Sequence, residues 1–89
     1  MGAALSRLER ESALAFSIPV KGGQVLTTIG HAIDFVGSLS QERLDRHYWY
    51  RAVVVLNTAI KSPQFLTTAT INLHAALAMD FLLSEATAR

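Results

Sequence analysis

The chain has 89 residues, the size of one small domain, with 51% hydrophobic and only 17% charged residues. Since a typical soluble domain has roughly 25% charged residues, this composition indicates apolar surface that a small monomer does not cover by itself. The chain has no cysteine, which excludes disulfides and thiolate metal sites, and its net charge of +1 argues against a strongly basic nucleic-acid-binding module.

Residues 1–14 combine alanine and leucine with alternating charges, a pattern typical of a short helix or a peripheral arm. We therefore predict an N-terminal arm or short helix at residues 1–14 and a single domain at residues 15–89. The charges of the first segment interrupt the apolar run that a secretory signal needs, and no later segment has the composition of a membrane span. A cytoplasmic protein without membrane contact is expected.

Alternating positions on either side of a glycine-containing turn predict a β-hairpin after the arm. The turn occupies residues 21–24, and the alternating residues around it are Phe16, Ile18, Val20, Val25, Thr27 and Ile29. Pro19 has no N–H to donate, so its strand must lie at an edge of the sheet or leave that side unpaired. Because an isolated hairpin is hardly stable in water, we expect it to pack on the helices or to pair with a second copy.

Three helices are predicted after the hairpin. The first covers residues 30–39, with Thr28 or the first residue of the helix as its cap, and the central helix covers residues 40–61. Ser62 then caps the last helix and Pro63 opens it, since the first helical position does not need the missing N–H. The expected fold is α+β, an N-terminal β-hairpin packed on three α-helices, with an all-α helical bundle as the alternative.

The last helix has two apolar stripes and almost no solvated face, because Asp80 is the only formal charge between Ser62 and Ser84. The first stripe, expected to face the core, contains Phe65, Leu66, Ala69, Leu73, Ala76 and Leu77. The second stripe has small residues at its middle, and its members recur at helical spacing: Ile71, Ala75, Ala78 and Leu82. We expect this second stripe to contact a second copy of the chain or another protein.

Asp80 falls on the core stripe, where an unpaired carboxylate would be costly. Two interpretations stay open. In the first, Asp80 lies near the end of the core face with an arginine or a backbone donor as its partner. In the second, it is exchanged across a dimer interface with Arg51 or Lys61.

The central helix carries the nearest approach to a recognition surface. Its basic residues Arg43, Arg46 and Arg51 lie away from the core stripe, with Tyr50 and Val54 among them as an i,i+4 pair. Basic and aromatic side chains together can contact phosphates and stack on bases, which makes the arginines candidate contacts for an anionic partner. Tyr50 and Val54 can equally belong to a protein interface, where tyrosine is favoured.

The sequence contains no motif for catalysis, a cofactor or a metal. There is no G-x-S-x-G, phosphate-binding loop or dinucleotide fingerprint, and the glycines of residues 21–24 are typical of a hairpin turn. His31 and Asp34 stand three residues apart, but two ligands do not make a metal site. We therefore predict a protein that is not an enzyme and has no metal or cofactor.

The order of elements resembles a small bacterial family, the domain of unknown function 982, which is common in rhizobia. The matching features are an Ile-Pro-Val strand at residues 18–20, a glycine turn, a Thr-Ile helix start at residues 28–29, and helical positions at 32–36, Trp49, Ala52, Ala59, Ile60, Ala69, Leu73 and Ala76. The resemblance covers about residues 15–83. It implies the same fold in a bacterial protein and implies no activity.

These observations predict a small non-catalytic protein, a homodimeric protein-interaction or regulatory module that can have a further, unidentified protein partner. The alternative function is a nucleic-acid-binding regulator that uses the basic and aromatic face of the central helix, with contacts from Arg43, Arg46, Tyr50 and Arg51.

Overall fold

The computed structural model describes residues 8–84, which form two β-strands and four α-helices. In chain order these are β1 (Ala13–Pro19), β2 (Val25–Thr28), α1 (Ile29–Gly37), α2 (Gln41–Leu44), α3 (His47–Lys61) and α4 (Leu66–Met79). A 3₁₀ turn, Pro63–Phe65, joins α3 to α4. The predicted α+β fold with an N-terminal hairpin is confirmed, and the alternative of an all-α bundle is wrong.

β1 and β2 form the predicted hairpin, an antiparallel pair in which Ile18 lies opposite Leu26 and Pro19 lies opposite Val25. Both glycines of the turn have positive φ, 94° and 95°, which is the conformation that a residue with a Cβ avoids. Ile18 and Leu26 point into the core, whereas Val25 is exposed. The sequence pattern predicted Val25 and Thr27 as the alternating residues of this strand. The residue of β2 that is buried in the core is instead Leu26, which lies between them.

The core lies between the hairpin and the α3–α4 pair. Its largest buried side chains come from all of these elements, with Ile18 and Leu26 from the hairpin, Trp49 from α3, and Leu73 and Leu77 from α4. The predicted core stripe of α4 is confirmed at four positions, which are Ala69, Leu73, Ala76 and Leu77. None of the helices formed by residues 8–84 has the length and hydrophobicity of a membrane-spanning segment.

The predicted central helix is not continuous. Ser40 caps α2 by accepting a hydrogen bond from the Arg43 N–H at 3.3 Å, but α2 ends after four residues. Arg46 has an extended backbone, with φ −71° and ψ 139°, and α3 starts at the next residue. The prediction of one helix over residues 40–61 is wrong here, because side-chain contacts of Arg43 and Arg46 with the end of α4 stabilise a break that no glycine or proline marks.

After α4 the chain returns to the hairpin. Val20 pairs with Leu83 in an isolated antiparallel bridge, and the Lys21 N–H donates to the Leu82 carbonyl at 2.8 Å. Leu82, predicted as the fourth residue of the outward stripe, is half-buried and packs against the core. The prediction that Leu82 belongs to the outward stripe of the helix is wrong, because α4 ends at Met79 and the helical spacing does not extend to Leu82.

The described part of the predicted arm, residues 8–14, contains no helix, and its last two residues belong to β1. The Leu8 N–H donates to the Ile60 carbonyl at 2.8 Å, which fixes this segment to the end of α3. β1 begins at Ala13, two residues before the predicted domain boundary. The rest of the predicted arm, residues 1–7, lies outside the described residues.

Candidate functional site

The one formal charge between Ser62 and Ser84, Asp80, is buried at the end of α4. Its side chain is only 1% exposed, although the residue directly follows the last residue of the helix. A carboxylate in such a position remains ionised only where hydrogen bonds and opposite charges replace its lost hydration. The hydrogen-bond partners of Asp80 therefore determine whether its carboxyl group is ionised.

Four side chains from α2, the α2–α3 break and α3 donate hydrogen bonds to this carboxylate. Oδ2 accepts from Arg43 Nη1 at 2.8 Å and from Trp49 Nε1 at 2.7 Å. Oδ1 accepts from Arg46 Nη1 at 2.6 Å and from the Tyr48 hydroxyl. We call Asp80 and these four donors the Asp80 cluster.

The hydrogen bonds of the Asp80 cluster keep the carboxyl group ionised. Burial by itself raises the pKa of Asp80, because it disfavours the charged form. The hydrogen bonds from Tyr48, Trp49 and Arg46, together with the charge of Arg46, outweigh burial and lower the pKa of this carboxyl from 3.8 to about 2. The pKa of Arg46 is raised in turn, first by its hydrogen bond with Tyr48 and then by Asp80.

Asp80 is thus a core charge with arginine partners, which confirms the first of the two predicted interpretations. The second interpretation, an exchange across a dimer interface with Arg51 or Lys61, is wrong. Each carboxylate oxygen already has two donors from its own chain, so neither oxygen is left for a residue of another protomer.

The three arginines predicted as contacts for an anionic partner have different surroundings. Arg43 lies in α2 and Arg46 at the break before α3, and both bind Asp80, with side chains 37% and 42% exposed. Arg51 lies on α3 beside α4. Two of the three guanidinium groups are therefore paired with a buried carboxylate, and the contact of the three arginines with an anionic partner stays a prediction.

In chemical terms the Asp80 cluster is a structural clamp. A carboxylate with a pKa of about 2 is a weak base at neutral pH, and none of its four partners is a nucleophile activated by a neighbouring base. The hydrogen bonds join the start of α3 to the end of α4 across 31 positions of the chain. The cluster therefore fixes the orientation of the segment that follows α4.

His31 and Asp34 have other partners than a metal. The Thr27 N–H donates to His31 Nδ1 at 3.1 Å, and Arg10 Nη2 donates to Asp34 Oδ2 at 2.8 Å. Within residues 8–84, no three side chains of the histidine, cysteine, aspartate and glutamate types lie close enough together to hold a metal ion.

The side of α4 away from the core carries apolar side chains together with the exposed polar residues Thr67, Thr68 and His74. At about 100° per residue, Ile71, Ala75 and Ala78 lie opposite the buried residues of the helix, and all three are exposed. Met79 and Phe81 are also exposed at the end of this helix. We call Ile71, Ala75, Ala78, Met79 and Phe81 the outer face of α4. Because Asp80 points inward, the outer face presents no formal charge.

The neighbouring helix extends this apolar surface. Tyr50 is 67% exposed and Val54 is also exposed, both on the side of α3 away from Trp49 and Ala52. A groove of about 230 Å³ separates the two helices near the start of α3 and the end of α4. It is lined by His47, Tyr48, Arg51, Asn72, Ala75 and Met79.

Two residues of this surface, Met79 and Phe81, were not predicted from the sequence. The helical spacing led to Leu82 instead, on the expectation that α4 continued to that residue. No local signal marks Phe81, because the glycine that commonly follows a helix end is absent from this position.

Comparison of the chain with protein-family models, with curated proteins and with solved structures finds no match. The resemblance to the bacterial domain of unknown function 982 therefore stays a prediction.

Proposed function

We propose that the protein is a small non-catalytic interaction module that works as a homodimer, with the outer face of α4 as its interface. One observation carries the proposal. The outer face is apolar and without formal charge, because the single charge of the segment, Asp80, is turned inward and bound by Arg43 and Arg46. Large apolar patches that remain exposed on a small protein commonly mark the site of a protein partner.

A second copy of the chain is the simplest cover for this face. Ala75 and Ala78 lie at its centre, and small residues allow two helices to approach each other closely. A two-fold axis brings the same face of both protomers together, so that Ile71 and Met79 of each copy are buried in one contact. The outer face itself contributes no charge, so the contact between the two α4 helices buries no ionised group without a partner, and Arg51 lies beside it on α3.

Tyr50 and Val54 extend the same surface onto α3, and we assign them to the margin of the contact. Aromatic side chains are enriched in protein interfaces because they bury a large area with few rotatable bonds. In the dimer, Tyr50 and Val54 at this margin would offer an additional protein partner a surface of the same kind.

Nucleic-acid binding is less favoured than protein contact. It depended on Arg43 and Arg46 as free cations on one helix with Tyr50, and both arginines share their charge with Asp80. A phosphate ligand would have to share each guanidinium group with the Asp80 carboxylate, which already accepts from Nη1 of both arginines. A cytoplasmic location and a bacterial origin complete the proposal, in keeping with the composition of the chain and the family that it resembles.

The double variant Ala75→Arg/Ala78→Arg tests the proposal. Two arginines on the outer face would repel each other across a two-fold contact, so we expect a monomer by sedimentation or light scattering. The matched control is Gln24→Arg/Gln64→Arg, which adds the same charge at two exposed positions outside the outer face. A dimer that survives the first double variant unchanged would refute this interface.

A further inference from the structure

Phe81 has a backbone conformation that its residue type disfavours. Its φ is 59°, in the left-handed region, and no other residue among 8–84 except the two turn glycines has a positive φ. The Leu82 N–H donates to the Leu77 carbonyl at 2.8 Å and the Phe81 N–H donates to the Ala78 carbonyl at 3.1 Å. These two hydrogen bonds define a Schellman motif, in which glycine is the usual residue at the position of Phe81.

The folded chain gains no packing in return for this conformation. Phe81 is 77% exposed, the largest exposed fraction among the exposed apolar residues. The ring contacts within residues 8–84 join Phe16 with His74, Phe35 with Trp49, and His47 with Tyr48, and none includes Phe81. A residue that departs from the local rule without a contact to compensate is a candidate for a function outside its own chain.

The position of Phe81 is fixed from both sides. On one side, Asp80 is held by the Asp80 cluster. On the other side, Leu82 and Leu83 are bonded to the hairpin. A large ring on so constrained a backbone is pre-organised for binding, because little conformational freedom remains to be lost.

The groove between α3 and α4 has the chemistry that an aromatic ring requires. Arg51 can place its guanidinium over the face of a ring, and the sulfur of Met79 can contact a ring edge. Tyr48 and His47 add aromatic walls, and Ala75 gives the groove an apolar floor without bulk. Phe81 is not among the residues that line this groove in its own chain.

A dimer centred on the two alanines of the outer face brings the ring and the groove together. In an antiparallel pair of α4 helices whose two-fold axis lies midway between Ala75 and Ala78, these two residues face each other across the axis. The residue opposite Phe81 is then Asn72, which lines the groove. Two-fold symmetry makes the contact reciprocal, so each protomer provides one ring and one groove.

We infer that Phe81 of each protomer inserts into the groove formed by His47, Tyr48, Arg51, Asn72, Ala75 and Met79 of the partner subunit. This inference rests on the proposed homodimer and names its anchor residue. It explains why the helix ends in a strained phenylalanine, and why a buried carboxylate with four donors stands directly before it.

The test compares dissociation constants of the dimer for Phe81→Gly, Arg51→Ala and the variant with both changes. Glycine suits the left-handed conformation, so the fold is retained while the ring is removed. We expect Phe81→Gly to raise the dissociation constant at least about thirtyfold, which is the lower limit for an anchor residue. If the ring contacts the partner's Arg51, the two single effects will not add in the double variant. The matched control is Phe65→Ala, an exposed phenylalanine in the 3₁₀ turn at the opposite end of α4, expected to change the constant less than about twofold.

The outcomes separate this inference from the proposed function. One outcome is that Ala75→Arg/Ala78→Arg dissociates the dimer whereas Phe81→Gly leaves its dissociation constant unchanged. This result would overturn the role of Phe81 and keep the interface. A weakened Phe81→Gly dimer whose effect adds to that of Arg51→Ala would overturn the insertion into this groove. A wild-type protein that is monomeric at every concentration would remove both proposals.

Discussion

The indole Nε1 of Trp49 and Oδ2 of Asp80 are 2.7 Å apart in a fully buried hydrogen bond between residues 31 positions apart. Trp49 lies in the first turn of α3 and Asp80 follows the last turn of α4, so this bond closes the antiparallel pair of helices at one end. The same carboxylate binds Arg43 and Arg46 and thereby holds the break before α3. The geometry of the surface at this end of the molecule therefore depends on the side chain of Asp80.

Replacement of Asp80 by alanine should therefore destabilise the fold strongly. The change leaves the Trp49 N–H and the Tyr48 hydroxyl without an acceptor and two arginines without their counter-charge, which costs about 3 kcal/mol of the free energy of unfolding. Urea denaturation measures this quantity. The control is Asp34→Ala, which breaks the exposed ion pair with Arg10 and should cost less than about 1 kcal/mol. Equal effects of the two changes would contradict the structural role of Asp80.

The pH dependence of stability should report the same carboxylate. The pKa of Asp80 is lower in the folded protein, at about 2, than its usual 3.8, so the unfolded chain binds the proton more readily. The stability that this group contributes is therefore complete above about pH 5 and is lost as the pH falls toward 2, with a magnitude on the order of 2 kcal/mol. Denaturation midpoints between pH 6 and pH 2 measure it. Asp80→Asn should flatten this part of the profile, and an unchanged acid profile in that variant would refute the assignment.

Two tyrosines of α3 provide a matched pair of substitutions. The Tyr48 hydroxyl donates to the Asp80 carboxylate, whereas Tyr50 points to solvent. Tyr48→Phe should lower the free energy of unfolding by about 2 kcal/mol, because a hydrogen bond to a buried charge is lost. Tyr50→Phe should change it by less than about 0.5 kcal/mol. Chemical denaturation measures the free energy of unfolding of both variants. A larger loss for Tyr50→Phe than for Tyr48→Phe would be inconsistent with the observed cluster.

The conformation of Phe81 predicts a stabilising substitution. Phe81→Gly should raise the free energy of unfolding of the monomer by about 1 kcal/mol, because glycine has no Cβ to oppose a positive φ. The measurement is made in the Ala75→Arg/Ala78→Arg background, so that association does not contribute. Phe81→Ala removes the ring but keeps the Cβ, and we expect little gain from it. A loss of stability in the glycine variant would mean that the ring packs within its own chain.

Part of this structure was predictable because local chemistry determines it. The two glycines between residues 21 and 24 placed the hairpin turn, and Thr28 was predicted as a cap of α1, where its side chain accepts a hydrogen bond from the His31 N–H. Pro63 likewise marked the start of the last helical segment, although it opens a 3₁₀ turn before α4. In each case the signal is the residue itself or a hydrogen bond to a residue three positions away.

The features that were not predicted depend on contacts distant in sequence. The break at Arg46 has no local signal, because it is stabilised by a carboxylate 34 positions away. The assignment of Leu82 to the outward stripe assumed a longer helix, whereas the Schellman motif ends α4 with a phenylalanine in place of glycine. The pairing of Arg43 and Arg46 with Asp80 depends on the same distant contact. Helical spacing did predict the exposure of Ile71, Ala75 and Ala78 on α4 and of Tyr50 and Val54 on α3, while their role in a contact stays a prediction.

The mass of the wild-type protein in solution, measured by light scattering or sedimentation over a dilution series from about 100 μM to about 1 μM, tests the central claim most directly. We expect a dimer at the upper end of this range, dissociating only on dilution, because a charge-free outer face of α4 is stable in water when a second copy covers it. A monomer at every concentration would show that this face has no such partner, and the homodimer would have to be abandoned.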